Sequence, residues 1–191
     1  KTTKRNTQIM YAKDIGYILL KLNIVNGTKV IEAGTGSGSL TQVIAAIIGN
    51  EGHLYTYEKR SETQNLAKKN LKRLSIQNRV SFIEKDIGNG FDQNSIDSIF
   101  LDVPNPYDYL DNVKKALVPG GFFGCLLPTT NQVVKLLNEM RRKNFACVEV
   151  SETMLRYYQT EETKLRPTDR MVAHTGYLIF GRPVNVSSVS N

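Results

Sequence analysis

Apolar positions along the chain fall into two alternating rhythms. Short runs of β-branched and aromatic residues are each followed by a stretch in which apolar side chains recur at helical spacing. The first run, "TKVIEAG", predicts a strand, and the stretch after it a helix with Val43, Ile44, Ile47 and Ile48 on its inner face. "GHLYTYE" (52–58) predicts a second strand. It leads into "SETQNLAKKNLKRLSI", a helix capped by Ser61 with Leu66, Leu71 and Leu74 near helical spacing. "RVSFIEKD" (79–86) and "IDSIFLDV" (96–103) are the next strands, the latter ending in the proline-rich "PNPYDYL". A helix to about Leu117 follows, with "VPGGF" as its stop signal. Then come the strand "FFGCLLP", the long helix "NQVVKLLNEMRRKN", and two late strands, "FACVEVSETML" and the clearly alternating "VAHTGYLIFGR".

Strand–helix alternation with short connections predicts an α/β fold built on a doubly wound parallel sheet. At 191 residues the chain suits one domain with a sizeable core. No apolar run approaches the roughly 18 residues of a membrane span. Cys125 and Cys147 lie far apart without metal-spaced neighbours, and His53 and His174 pair with no ligand motif, so no metal site is expected. A net charge of +7 favours an anionic partner, nucleic acid first. The positive groups cluster at Lys1, Lys4, Arg5 and Lys13, at Arg141, Arg142 and Lys143, and at Arg156, Lys164, Arg166, Arg170 and Arg182. Solvated helix ends and loops would account for these clusters equally well.

Ligands of doubly wound sheets bind outside the carboxyl ends of the strands, where strand order reverses. That rim gathers the glycine turn at Gly34, Gly36 and Gly38, the acids Glu58 and Asp86, and the loop from Asp102 to Tyr109. The turn is G-x-G-x-G, whereas a dinucleotide fingerprint is G-x-G-x-x-G. Glu58 ends its strand 20 residues after Gly38, where a carboxylate accepts hydrogen bonds from both ribose hydroxyls. Asp86, at the next strand end, can accept from an adenine amino group. A pyrophosphate would bring negative charge to a turn that already carries Glu32. A sulfonium and an ammonium bring positive charge, so the acids favour S-adenosylmethionine over NAD.

The stretches "TQIMYAKDIGYIL", "VIEAGTGSGSLT", "YEKR", "LDVPNPYDYL" and "LRPTDRMVAHTGYLIFGRP" resemble the tRNA adenine-N1 methyltransferase family, in order and over nearly the whole chain. The glycine motif is common to methyltransferases, but the first and last stretches are specific to this family. The resemblance implies a mostly parallel seven-stranded Rossmann-like methyltransferase sheet with an antiparallel C-terminal strand. It implies methyl transfer from S-adenosylmethionine to N1 of adenine 58 in the tRNA T-loop, a homotetramer and a cytoplasmic location.

By the same resemblance Gln8 and "YAKD" would form a lip over the cofactor. Gly34, Gly36, Ser37, Gly38, Ser39 and Leu40 would hold its methionine part, with Glu58 and Arg60 at the ribose and Asp86 at the adenine. Asp102 would stand between cofactor and target base as the catalytic acid residue, with Tyr107 as the stacking aromatic. Family members usually read close to "LD-P-PW" there, so Tyr107 is a departure. They also carry a small β domain ahead of "TQI", which is expected to be absent or truncated, leaving a methyltransferase domain at 1–183 and a disordered tail at 184–191. The rival readings are another S-adenosylmethionine enzyme acting on a small molecule or protein carboxylate, and a non-catalytic tRNA-binding partner subunit. "NPY" at 105–107 is similar to the N-P-P-Y of exocyclic-amine methyltransferases, but lacks one proline and follows a different acid.

Overall fold

The structure is a computed structural model that describes residues 10–72 and 74–184. Its elements are α1 (Ala12–Lys21), β1 (Lys29–Ala33), α2 (Ser39–Ile47), β2 (His53–Glu58), α3 (Ser61–Lys72), β3 (Val80–Glu84), β4 (Ile96–Leu101), α4 (Leu110–Ala116), β5 (Leu117–Leu127), α5 (Thr130–Arg142), β6 (Phe145–Ser151) and β7 (Tyr177–Pro183). The strands form one sheet in the order β3-β2-β1-β4-β5-β7-β6. The first five pair in parallel, and β7 runs antiparallel to both of its neighbours. This is the mostly parallel α/β sheet with an antiparallel C-terminal strand that the sequence implied.

Adjacent residues of a strand point to opposite faces, so consecutive apolar residues feed two separate cores. Val30, Phe100, Leu178 and Phe180 pack with Ile15 and Ile18 of α1, Ile44 of α2 and Leu71 of α3. Their neighbours Ile31, Ile99, Leu101 and Ile179 pack on the other side with Val113 of α4 and with Leu136 and Met140 of α5. Burial on both faces explains why these strands read as continuous apolar runs. No helix among the described residues is long and apolar enough to cross a membrane.

Several elements differ from expectation, each for a local reason. Helix α1 was not foreseen, although Ile15, Ile18 and Leu22 supply an inner face at helical spacing. In α3 the buried residues are Gln64, Ala67 and Leu71, whereas Leu66 and Leu74 are about half exposed. The reason is close packing: a Cβ on Gly38 would meet the Ala67 Cβ at 3.0 Å, so small residues mark the contact of α3 with the start of α2. Ser61 is the first residue inside α3 rather than the cap before it. Along α2 the inner face is Leu40, Thr41, Ile44, Ala45 and Ile48, and Ile47 turns outward. The "VPGG" segment continues β5 instead of preceding it, and β7 begins only at Tyr177, after "VAHTG". Lys1, Lys4, Arg5, Gln8 and residues 185–191 of the expected tail lie outside the described residues.

If α1 is an integral part of this core, Ile18→Ala should lower stability by about 2–5 kcal/mol, the cost of a large-to-small change at a sealed site. Chemical denaturation measures it, and a loss below about 0.5 kcal/mol would mean that α1 is not docked.

Candidate active site

Strand order reverses between β1 and β4, which are parallel neighbours with β2 on one side and β5 on the other. The carboxyl ends of these strands are drawn tightly together. The Gly34 amide donates to Tyr57 O at 2.9 Å and the Asp102 amide donates to Ala33 O at 2.8 Å. A Cβ on Gly34 would lie 2.2 Å from Asp102 O, and its φ is +93°, so only glycine fits. Gly36, at φ +54°, has open space around it, with no neighbour closer than Gly34 O at 3.8 Å. Alternate glycines therefore serve different ends. Gly34 lets β4 approach, Gly36 leaves room at the rim, and Gly38 lets α3 pack.

Behind the turn, Glu32 is 1% exposed and its Oε2 accepts from Thr41 and Thr56 hydroxyls, each at 2.7 Å. The Thr56 hydroxyl is held in turn by Thr35 at 2.6 Å. Burial pushes the Glu32 pKa up to about 7, against the pull of the two hydroxyls and with help from the Asp102 charge. Asp102 is open to the cleft yet walled by protein, and this loss of solvent raises its pKa to about 6. Neither carboxylate has a cation within ion-pair reach among the described residues.

In front of the turn lies a cleft with two lobes. One, of about 270 Å³, is lined by Tyr57, Asp86, Ile87, Asn105 and Tyr109. The other, of about 370 Å³, is lined by Met10, Tyr11, Asp14, Leu126, Pro128 and Thr175. Gly34, Glu58, Arg60, Asp102, Val103 and Pro104 line both and form the waist between them. At the waist Glu58 is 6% exposed, and its Oε1 accepts from the Arg60 amide at 3.1 Å and from Arg60 Nε at 3.2 Å. Asp86 is exposed at the far end of the smaller lobe, with Oδ1 accepting from the Gly88 amide at 2.8 Å.

The cleft thus brings together Gly34, Gly36, Glu58, Arg60, Asp86 and Asp102 of the residues singled out in the sequence. It does not bring Ser37, Gly38, Ser39 or Leu40 to either lobe. Leu40 is buried in the core, Ser37 and Ser39 hydrogen-bond to each other, and Gly38 abuts α3. Tyr107 also lines neither lobe. It packs against the core with Lys135 Nζ 3.8 Å from its ring centroid, and the aromatic residues at the cleft are Tyr11, Tyr57 and Tyr109. Gln8 is outside the described residues. Sequence reasoning reached Asp14 only as part of "YAKD" and missed Leu126, Pro128 and Thr175. For Asp14 and Thr175 a signal existed, since both sit in stretches that resembled one family and no other.

A profile for the tRNA methyltransferase complex GCD14 subunit family matches residues 2–175. The chain belongs to this family. Among its relatives is TrmI of Methanocaldococcus jannaschii, a tRNA (adenine(57)-N(1)/adenine(58)-N(1))-methyltransferase, 31% identical across 95% of this chain and 74% of that protein. Another is the Dictyostelium discoideum catalytic subunit trmt61a, a tRNA (adenine(58)-N(1))-methyltransferase, 31% identical across 83% of this chain. The chain spans about half of that relative, 53%. Among solved structures, the Aquifex aeolicus tRNA (m1A58) methyltransferase TrmI superposes with a TM-score of 0.88 and 42% identity, over 95% of this chain and 72% of that one. A Thermotoga maritima protein described as a SAM-dependent O-methyltransferase gives 0.92 and 41%, over 96% and 69% respectively.

The buried acid of this family member has a measurable signature. A carboxyl harder to ionise folded than unfolded costs nothing below the ordinary value of 4.5, costs more as pH rises to about 7, and costs a constant amount above. The full penalty is on the order of 3 kcal/mol. Glu32→Gln cannot ionise, so its stability relative to the parent should improve by that order between pH 4.5 and 7. Urea denaturation across this range is the measurement, and a pH-independent difference would remove the perturbed acid.

Proposed function

We propose that the chain is an S-adenosylmethionine-dependent tRNA methyltransferase that modifies N1 of adenine 58 in the T-loop. The observation that carries this reading is the position of Asp102 at the waist, between a lobe suited to an adenosine and a lobe with an aromatic, apolar lining. Asp86 would accept from the cofactor's adenine amine and Glu58 from its ribose hydroxyls, and Gly36, which lines the larger lobe, would leave room there for its methionine portion. The uncompensated charge of Glu32 and Asp102 suits a ligand that carries positive groups. S-adenosylmethionine supplies an activated methyl group on a sulfonium.

In the second lobe Tyr11 and Leu126 offer flat and apolar surfaces for a target base. Adenine N1 has a free lone pair and no proton to lose, so alignment matters more than a strong base. The Asp102 carboxylate would accept from the exocyclic amine, aiming N1 and offsetting the positive charge that grows on the ring. Transfer to a hydroxyl, as the Thermotoga protein's description would suggest, needs a group to take the hydroxyl proton. Among the described residues no Lys or His lines the lobe to take it.

The excess of positive charge supports binding to tRNA, with affinity that falls as salt rises. We infer a homotetramer as well. Strand β6 is one of the sheet's two edge strands, and Val148 and Val150 on it are 38% and 43% exposed, an edge suited to burial against another copy. Light scattering should give a tetramer of the chain, and a monomer at micromolar concentration would overturn the assembly.

The function is tested by methyl transfer to unmodified tRNA transcript, with the product base identified by mass spectrometry. The expected product is 1-methyladenine at position 58, and methylation elsewhere or of a hydroxyl would overturn the reading. Glu58→Ala should weaken S-adenosylmethionine binding by about 1–3 kcal/mol. Asp102→Asn should fold, bind cofactor, and lose about 10²–10³ in turnover. Parent turnover should rise with pH through about 6 as Asp102 ionises, and the asparagine variant should lack that limb. An Asp102→Asn enzyme as fast as the parent would remove this residue from the chemistry.

A further inference from the structure

Two stretches far apart in sequence meet in one buried cluster at the outer end of the larger lobe. Lys13 and Asp14, in the first turn of α1, have side chains only 8% and 1% exposed. Lys13 Nζ donates to Asp14 Oδ1 at 2.9 Å, to Thr153 O at 2.8 Å and to Thr175 Oγ1 at 2.6 Å, and lies 3.2 Å from Thr153 Oγ1. The Thr175 hydroxyl donates to Asp14 Oδ2 at 2.7 Å, and the Thr153 hydroxyl donates to Asp14 Oδ1. Both charges are therefore fully partnered inside the protein.

The two threonines bracket the longest connection in the fold, which leaves β6 at Ser151 and returns at Tyr177. Between them the chain is largely exposed, with Met154, Tyr157, Tyr158 and Leu165 at 66%, 66%, 55% and 73%. It is braced internally by a Tyr158–Pro167 bridge and by the Gln159 amide on Arg166 O at 2.8 Å. With so little burial of its own, the connection takes its position from its two ends. Those ends are pinned to α1 beside Tyr11, whose carbonyl accepts from the Asp14 amide at 3.0 Å. Asp14, Tyr11 and Thr175 all line the lobe opposite the Asp86 end.

A buried ion pair contributes little net stability, because desolvation offsets its attraction, but it fixes one geometry where an apolar contact would tolerate several. We propose that Lys13 and Asp14 are positioning residues, a clasp that holds Thr175 and the Tyr11 turn in the wall of the target-base lobe and anchors the connection over residues 153–175 beside it. The clasp governs productive docking of the nucleic acid and leaves cofactor affinity alone. It rests on the reading of that lobe given under Proposed function.

The test uses Asp14→Asn and, as a milder change that keeps the ion pair, Thr175→Val. Calorimetry with S-adenosylmethionine should give an affinity within about twofold of the parent for Thr175→Val. Hydrogen exchange over 153–175 should accelerate by about tenfold or more in each, while residues 34–40 keep the parent's protection. With tRNA, kcat/KM should fall by about tenfold or more, and the double variant should lose no more than the worse single, because both act through one cluster. Unchanged exchange over 153–175 overturns the clasp, as does a loss of cofactor affinity in Thr175→Val equal to its loss in kcat/KM. Should Asp14→Asn fail to fold, Thr175→Val decides by the same measurements. A parent that leaves tRNA unmethylated sinks the proposed function instead, and the clasp is then judged on exchange and cofactor affinity, which need no tRNA.

Discussion

The constraint on which the rest depends is the approach of β1 to the end of β4. With Gly34 stripped of its side chain, the chain leaves β1 against the Asp102 carbonyl, at a distance no other residue permits. The Ala33 carbonyl then holds the Asp102 amide, and the Tyr57 carbonyl holds the Gly34 amide. Three strand ends are fixed to one another through main-chain atoms alone. Side chains carried just beyond them, Glu58 and Asp102, inherit that rigidity without needing contacts of their own. A site built this way keeps its geometry through large changes on the outer surface.

Charge completes what the backbone begins. Glu32 is buried behind the turn and Asp102 stands in front of it; loss of solvent makes both harder to ionise, and the Asp102 charge adds to the cost at Glu32. With no cation beside either acid among the described residues, this rim carries electrostatic strain. A cationic ligand relieves it, whereas a pyrophosphate would add to it. The same two groups would thus favour, among ligands with similar adenosine halves, the one that carries positive charge.

Much of this was legible in the sequence because it rests on local rules. Strand ends bearing acids, and a turn with glycine at alternate positions, follow from pattern and spacing, and the cleft gathers Glu58, Asp86 and Asp102 as expected. What was not legible depends on which neighbour arrives from elsewhere. Leu66 and Leu74 look like core residues until Ala67 is seen to be the one that meets α2. Tyr107 looks like the cleft's aromatic, but the proline-rich loop turns its ring under Lys135, while Tyr11 comes to the cleft from the other end of the chain. The Lys13–Asp14 pair could be seen as a motif, yet its partners lie 139 to 162 residues away and no periodicity announces them.

The strand order carries a consequence for how the chain is made. Strand β7 is the last of the sheet's strands in chain order, but it sits inside the sheet, between β5 and β6. Until it arrives, β6 has no strand to pair with and β5 presents an open edge to solvent. The helical faces of β1 to β5 can close during synthesis, while the final third of the sheet waits for its keystone. During that interval the nascent protein is exposed to unwanted strand pairing at β5, the more so because Phe123, Cys125 and Leu127 there are apolar. A late interior strand means that the sheet is sealed only after its other six strands have been made.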